Sequence, residues 1–369
     1  MKKKSLAIIL ALVLLLSIAV GCQQAPTPPA GGQQAPPPEA QPANGGAEEA
    51  APDAAAEFFR GQRITIVLGQ PAGGTVDLAA RALIPFIQDY TGASVIIEYQ
   101  EGAAGVVAAN YMYNRASRDG LTLSLMQASV LMLSQLGGAE GVAYDVSSFN
   151  WVACLGSDPR IYVTYPGSRL EAAELVGESI TLAASVPGFS PGSLCDMLLA
   201  EILEANGGSA RLITGYVGLA GRRLAVQQRE TDMTWQHLAS YNEFVEGTLS
   251  PVFIFDRDRI DRIPEVPTIF ELGLTIAPEI QSLFDTVLEV GAFNMMMFTP
   301  PDVPEYRLEF LRNMFAEIIT NQDLIQVFED AFMGTNFASP HDVQDWAGRV
   351  YDLVAANVDA IHALIDKYR

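Results

Sequence analysis

Arg63-Ile-Thr-Ile-Val-Leu-Gly-Gln-Pro-Ala-Gly-Gly-Thr-Val-Asp-Leu-Ala-Ala-Arg81 is the stretch that decides the fold. It begins with β-branched apolar residues, breaks at Pro71 and the Gly73-Gly74 pair, and resumes as an Ala/Leu-rich helical pattern through Ala82, Leu83, Ile84 and Phe86. Such a change of period predicts a strand, a tight turn and a helix. Glycines at the turn let backbone N–H groups come close to a ligand. The helix start behind them presents unpaired donors at the positive end of its dipole. An anion-holding turn is therefore expected here.

The same unit recurs downstream. Ala93-Ser-Val-Ile-Ile-Glu98 predicts a second strand, Glu101-Gly-Ala-Ala-Gly105 a turn of small residues, and Val106-Val-Ala-Ala-Asn-Tyr-Met-Tyr113 a helix. Arg118-Asp119-Gly120 signals a turn before a third strand, Leu121-Thr-Leu-Ser-Leu-Met126. Strands alternating with helices argue a parallel α/β sheet. Further on, Ile180-Thr-Leu-Ala-Ala-Ser185 reads as a strand, and Val186-Pro-Gly-Phe-Ser-Pro-Gly-Ser193 as a loop opening a helix over residues 194–205. Phe293-Asn-Met-Met-Met-Phe298 predicts a buried strand that returns the chain to its first half. Residues 304–316 and 341–365 have helical period, with Val343, Trp346, Val350, Tyr351, Val354 and Val358 facing a core.

The N-terminus has a different character. Met1-Lys-Lys-Lys4 and the apolar residues 6–20 form a secretion signal, too short for a confident permanent span. Its end, Ala19-Val20-Gly21-Cys22, resembles the lipobox of bacterial lipoproteins, which implies a signal over residues 1–21 and lipidation of Cys22. Residues 22–60, rich in Pro, Gly, Ala, Gln and Glu, bury little and predict a disordered tether.

The chain has 369 residues, 49% of them apolar, enough for two domains. Removal of the three signal lysines takes the net charge from −21 to −24 and leaves Lys367 as the sole lysine. Such a surface repels nucleic acid and anionic headgroups, although backbone donors still suit a small anion. Cys154 and Cys195 either pair in an oxidising compartment or stand as two buried thiols, and their spacing is not that of a metal site.

No catalytic constellation is legible. His237, His341 and His362 are far apart, and none has a metal-type neighbour at short helical spacing. No Gly-x-Ser-x-Gly elbow occurs, and the turn at Gly73 lacks both the Lys-Ser/Thr of a phosphate loop and the third glycine of a dinucleotide fingerprint. Neither cofactor nor metal is expected. Asp77, near a helix start, reads as a cap or dipole partner before a general base. Arg222 and Arg223 suggest anion clamps, but read first as an exposed helix face.

Four motifs in order carry a resemblance. They are Pro71-Ala-Gly-Gly-x-x-Asp77-x-x-x-Arg81, Gly102-Ala-x-Gly105 with Ala108-Ala109, Asp119-Gly-x-Thr-Leu123, and a later pair, Ile263-Pro-Glu-Val-Pro-Thr268 with Glu271-x-Gly273 and Pro300-Pro-Asp-Val-Pro304. In order and spacing these resemble the extracytoplasmic receptors of tripartite tricarboxylate transporters, over residues 63–369. The middle departs from that pattern: no His or Thr follows Ser193, and Gln228-Arg-Glu-Thr-Asp232 lacks a glycine, which leaves the ligand unnamed.

The resemblance implies a two-lobed, periplasmic-binding-protein-like (type II) α/β fold with a hinge. Residues 61–160 and 286–369 would form lobe 1, and residues 161–285 lobe 2. A small carboxylate-bearing solute would be held at Gln70, Pro71, Ala72, Gly73, Gly74, Thr75, Asp77, Gly102, Ala103, Gly105, Ala128 and Ser129 in lobe 1. In lobe 2 it would meet Ser185, Gly188, Ser190, Gly192, Ser193, Tyr216 and Gly218. The implied partners are integral-membrane transporter subunits and a lipid anchor, for a monomer outside the cytoplasmic membrane. The same residues leave open plain turn glycines, serine helix caps and a core Tyr216. They also leave open a receptor for an amino acid or other solute, and a cell-surface enzyme acting on a small acid.

Overall fold

A computed structural model describes residues 52–156, 159–334 and 337–369. The expected signal, Cys22 and most of the expected tether lie outside the described residues. The final part of that tether is folded: α1 (Pro52–Phe59) buries Ala55 and Phe59 completely. Phe59 stacks on Phe310 at 4.9 Å, and the Arg307 guanidinium lies 3.5 Å over the Phe58 ring. The Phe58-Phe59 pair supplies the apolar payload that the preceding composition lacks, so the tether ends earlier than its composition suggests.

Lobe 1 opens with β1 (Arg63–Leu68), α2 (Thr75–Thr91), β2 (Ser94–Tyr99), α3 (Val106–Asn114), β3 (Thr122–Gln127), α4 (Ala128–Leu136) and β4 (Asn150–Cys154). Lobe 2 holds β5 (Ile161–Thr164), β6 (Ser179–Ala183), α5 (Pro191–Ala205), β7 (Ser209–Ile213), α6 (Gly218–Gln227), β8 (Met233–Gln236), α7 (Tyr241–Val245), β9 (Ser250–Ile254) and α8 (Pro278–Ala292). The chain then returns through β10 (Met295–Thr299), α9 (Glu305–Ile318), α10 (Gln322–Asp330) and α11 (Val343–Tyr368).

Each lobe has a five-stranded sheet, ordered β2-β1-β3-β10-β4 and β7-β6-β8-β5-β9. β1, β2 and β3 run parallel, as do β6, β7 and β8, while β10 and β5 run antiparallel to both neighbours. The antiparallel strand of each sheet is thus the one that arrives from the other lobe. The two passages meet where Leu155 N–H donates to Met295 O at 2.8 Å. β10 is paired on both edges and buried throughout, which is why Met295-Met-Met is an unbroken apolar run.

An aromatic seat holds α11 against lobe 1. Trp151 lies 5.2 Å from Phe293 and 5.0 Å from Phe298, and Trp346 meets Phe293 edge-on at 5.2 Å. Gln344 Oε1 also accepts Trp151 N–H at 2.8 Å. The far end of the same helix reaches lobe 2, where Lys367 pairs with Glu201 at 2.6 Å and Tyr368 Oη donates to Glu201 Oε1 at 2.6 Å. A lobe boundary at residue 286 falls inside α8, a continuous helix with Phe284, Val287 and Val290 buried on one side, and α11 belongs to both lobes. Its length, 26 residues, lets it span them.

Cys154 and Cys195 are free, buried thiols. The later family motifs act as staples. Glu271 grips Arg259 through both carboxylate oxygens and accepts Thr268 N–H at 2.8 Å, which pulls its carboxyl down from 4.5 to about 2. Asp119 Oδ1 accepts Leu121 N–H at 2.8 Å, and Asp302 pairs with Arg118. Among the described residues no helix is long and apolar enough to cross a membrane.

Candidate functional site

Three parallel strands end on the same edge of the lobe 1 sheet, so the turns after β1 and β2 and the start of α4 are neighbours there. Gly69 sits at the closest approach: a Cβ on it would lie 2.7 Å from the Gly105 Cα, so only glycine lets the two turns touch. Asp77, almost fully buried, ties the turns together. Its carboxylate accepts Gly73 N–H at 2.8 Å, Arg81 Nε at 3.0 Å and the Tyr99 hydroxyl at 2.6 Å. Burial opposes its ionisation. The bonds from Tyr99, Gly73 and Arg81 outweigh burial and hold the carboxyl below its usual range. A carboxylate so committed is a clasp for the turn and a poor general base.

The second turn is built under strain. Ala103 and Ala104 both take left-handed backbone angles, with φ of 45° and 55°. Gly74 and Gly105 precede α2 and α3 without any side-chain capping bond. The first-turn donors of α2 are therefore left to another partner, whereas in α3 the Val106 N–H is taken by Ala103 O. Ala128 and Ser129 differ from the sequence expectation in this respect. Their N–H groups donate to Asn294 O at 2.9 Å and Phe293 O at 3.0 Å, so both backbone donors are already used in holding β10 to the lobe.

In lobe 2 the parallel strands β6, β7 and β8 present a matching edge. Ser190 caps α5 by accepting Ser193 N–H at 3.3 Å, and Ser193 Oγ accepts Gly188 N–H at 2.9 Å. These two hydroxyls lock the loop itself. Gly192 lies flat on an indole, for a Cβ there would stand 2.4 Å from a Trp235 ring atom. Tyr216 is half-buried and precedes α6, whose N-cap Val217 makes no side-chain capping bond. Gly218 is the first residue of that helix.

Arg222 is not on an exposed face. It is 6% exposed, lies 4.4 Å over the Trp235 ring, and donates from Nη1 to Ser185 Oγ at 3.1 Å. Leu219, Arg222 and Ala225 share one helical stripe toward the lobe, whereas Arg223 turns outward to Glu243. Asp196, wholly buried on α5, accepts Ser185 N–H at 3.0 Å and the Tyr162 hydroxyl at 3.0 Å. Burial pushes its carboxyl up to about 6, against the opposing pull of Arg222, the Ser185 N–H and Tyr162. Sequence reading missed Asp196, Trp235 and Tyr162. The available signal was an aspartate inside the apolar run Leu194-Cys-Asp-Met-Leu-Leu199.

The predicted residues thus gather into two groups, one on each sheet's carboxyl edge. None of them lines the two largest cavities described, of about 500 and 510 Å³, which lie beside Arg118 and Glu174. Among the described residues no group of three or more His, Cys, Asp or Glu is placed to hold a metal.

Two sheets joined by paired crossings, each with βα turns on a carboxyl edge, form the two-lobed fold of periplasmic binding proteins. Residues 79–297, more than half the chain, match the tripartite tricarboxylate transporter family receptors, and the chain belongs to that family. It is similar to Protein BugT of Bordetella pertussis, with 27% identity over 234 residues, 61% of this chain and 69% of that protein. The fold is that of the periplasmic binding protein BugD, with TM-score 0.61 and 19% identity over 82% of this chain and 98% of that one. MatC from Rhodopseudomonas palustris, whose structure holds malate, gives TM-score 0.55 and 20% identity over 82% and 99% of the two chains.

Proposed function

We propose that this chain is an extracytoplasmic receptor that captures a small carboxylate-bearing solute between its lobes and passes it to integral-membrane transporter subunits. The observation that carries the reading is the pair of carboxyl edges, on which α2, α3 and α6 begin without side-chain caps. Uncapped helix starts and glycine turns favour an anion through backbone donors and the helix dipole. The malate held by a protein of the same fold agrees with this class of solute.

In this reading, lobe 1 offers Gln70, Pro71, Ala72, Gly73, Gly74, Thr75, Gly102, Ala103 and Gly105, with Asp77 holding the turn. Lobe 2 offers Ser185, Tyr216 and Gly218, with Gly188, Ser190, Gly192 and Ser193 setting the loop. Ala128 and Ser129 contribute by position. Rotation about the paired crossings closes the lobes on the solute, whose contacts favour the closed population. The monomer would be anchored outside the cytoplasmic membrane by lipid on Cys22, after cleavage of residues 1–21.

Calorimetric titration of the mature chain with mono-, di- and tricarboxylates tests the proposal. Saturable binding of at least one carboxylate, with a rise in Tm by mass action, is the expected result. Silence across the whole panel, alongside binding of an amino acid or a neutral solute, overturns it.

A further inference from the structure

We propose that Arg222 is the side chain of lobe 2 that receives the solute's carboxylate, and that Asp196 is the internal counter-charge it leans on until the solute arrives. The inference rests on the solute-binding reading above and adds to it a charged anchor where only backbone donors were expected.

A guanidinium is costly to bury unless its charge and its donors are answered. Arg222 is answered only in part. Guanidinium carries five N–H donors in a planar fork, and among the described residues one hydrogen bond is made, from Nη1 to Ser185 Oγ at 3.1 Å. Asp196 Oδ2 lies 3.7 Å from Nη1, near enough to balance charge but outside hydrogen-bonding distance. The carboxylate spends its oxygens elsewhere, on Ser185 N–H and the Tyr162 hydroxyl. A two-point Arg–carboxylate grip is the arrangement that both groups normally favour. Here it is withheld, and the fork of Arg222 stays open to a second carboxylate.

The plane of the fork is set in advance. Trp235 lies beneath it at 4.4 Å, and Gly192 fits flat against that indole, so the ring cannot swing toward α5. Arg160 lies over the same ring at 5.4 Å, with its Nε buried and unpartnered among the described residues. Asp256, Cys195 and Arg160 line one small cavity. Two cations therefore share one aromatic plate, with the carboxyls of Asp196 and Asp256 set against them. Ser185, the one hydrogen-bond partner of the fork, is half-buried at the carboxyl edge of β6. That is the same edge on which the α6 start is uncapped. A solute carboxylate replacing Ser185 Oγ on the fork would meet Arg222 without any rearrangement of the helix.

Opposite-signed variants test the assignment. Malate, adipate and citrate are titrated calorimetrically into the mature chain and its Arg222→Gln, Arg222→Lys and Asp196→Asn variants at one pH near neutrality, with thermal melts to confirm folding. The proposal expects Arg222→Gln to weaken the best-bound carboxylate about tenfold or more, the scale of one charge-assisted bond. Arg222→Lys should keep the charge without the fork and fall between. Asp196→Asn preserves shape while removing the counter-charge, so it should tighten the same carboxylate. Equal binding by folded Arg222→Gln overturns the proposal. Weakening by Asp196→Asn as large as that by Arg222→Gln overturns it too, since a merely structural pair loses function whichever partner goes. If the unsubstituted chain binds none of the three acids but binds a neutral solute, the solute-class reading falls and this assignment falls with it.

Discussion

The Tyr99 hydroxyl donates to Asp77 Oδ1 at 2.6 Å, a bond that fastens the end of β2 to the first turn of α2. Together with Gly73 N–H and Arg81 Nε it leaves the buried carboxylate fully answered. Asp77→Ala removes the acceptor of all three donors, with an expected cost of about 3 kcal/mol in urea unfolding. Tyr99→Phe should cost about 1 kcal/mol. Because the folded value of Asp77 is below its ordinary 3.8, its contribution is complete above that value and is lost as the pH falls through the folded value. Equal stability of Asp77→Ala and the unsubstituted chain at neutral pH would refute the clasp.

Asp196 has the opposite pH dependence. Its carboxyl stands at about 6 when folded against an ordinary 3.8, so between those values the folded chain binds the extra proton. Stability therefore rises as the pH is lowered from about 6 toward 3.8, and Asp196→Asn should flatten that window. Urea midpoints at closely spaced pH values measure both curves. A window that survives the substitution unchanged assigns the proton elsewhere.

The turn between β2 and α3 stores backbone strain at Ala103 and Ala104. Left-handed angles cost a non-glycine residue about 1–2 kcal/mol, partly offset by the extra freedom glycine has when unfolded. Ala104→Gly should therefore stabilise the chain by about 0.5–1 kcal/mol. Gly69→Ala acts oppositely by pushing against Gly105, at about 1–3 kcal/mol. Thermal denaturation of the two variants should show Tm changes of opposite sign.

The two ends of α11 are held by different forces. Lys367 is half exposed, so Lys367→Ala should cost no more than about 1 kcal/mol despite its two carboxylate partners. Trp346→Ala empties the seat against Phe293 and should cost roughly 3 kcal/mol. If chemical denaturation ranks the two the other way, charge rather than apolar packing holds this helix.

Much of the fold was legible because its period is written plainly. The Arg63 to Arg81 stretch gives strand, turn and helix in the observed order, although the helix runs past Phe86 to Thr91, and the Met run of β10 follows from burial on both faces. Other features depend on distant partners. Phe58 and Phe59 fold the end of the tether only because Phe310 and Arg307 arrive from α9. In the candidate site, the turn glycines announced lobe 1. Arg222 was hidden because Arg222-Arg223 reads as a solvated pair, and only the phase set by Ala225 and Val226 turns one of the two inward. The donors of Ala128 and Ser129 were misjudged for a related reason, since the strand that consumes them comes from far along the chain.

That strand has a consequence for how the molecule is assembled. β10 lies between β3 and β4, so nothing joins these two until residue 299 is available. A chain emerging from its N-terminus carries β3 with one unpaired edge through the whole passage of lobe 2, whose own strands are all present by Ile254. Lobe 2 can thus finish first, while lobe 1 waits for a contact of very long sequence separation, the kind that folds slowly and leaves strand edges open to wrong partners. The last-made element of the sheet is also the one that ties the two lobes together, so the chain gains its hinge and its completed first lobe in the same event.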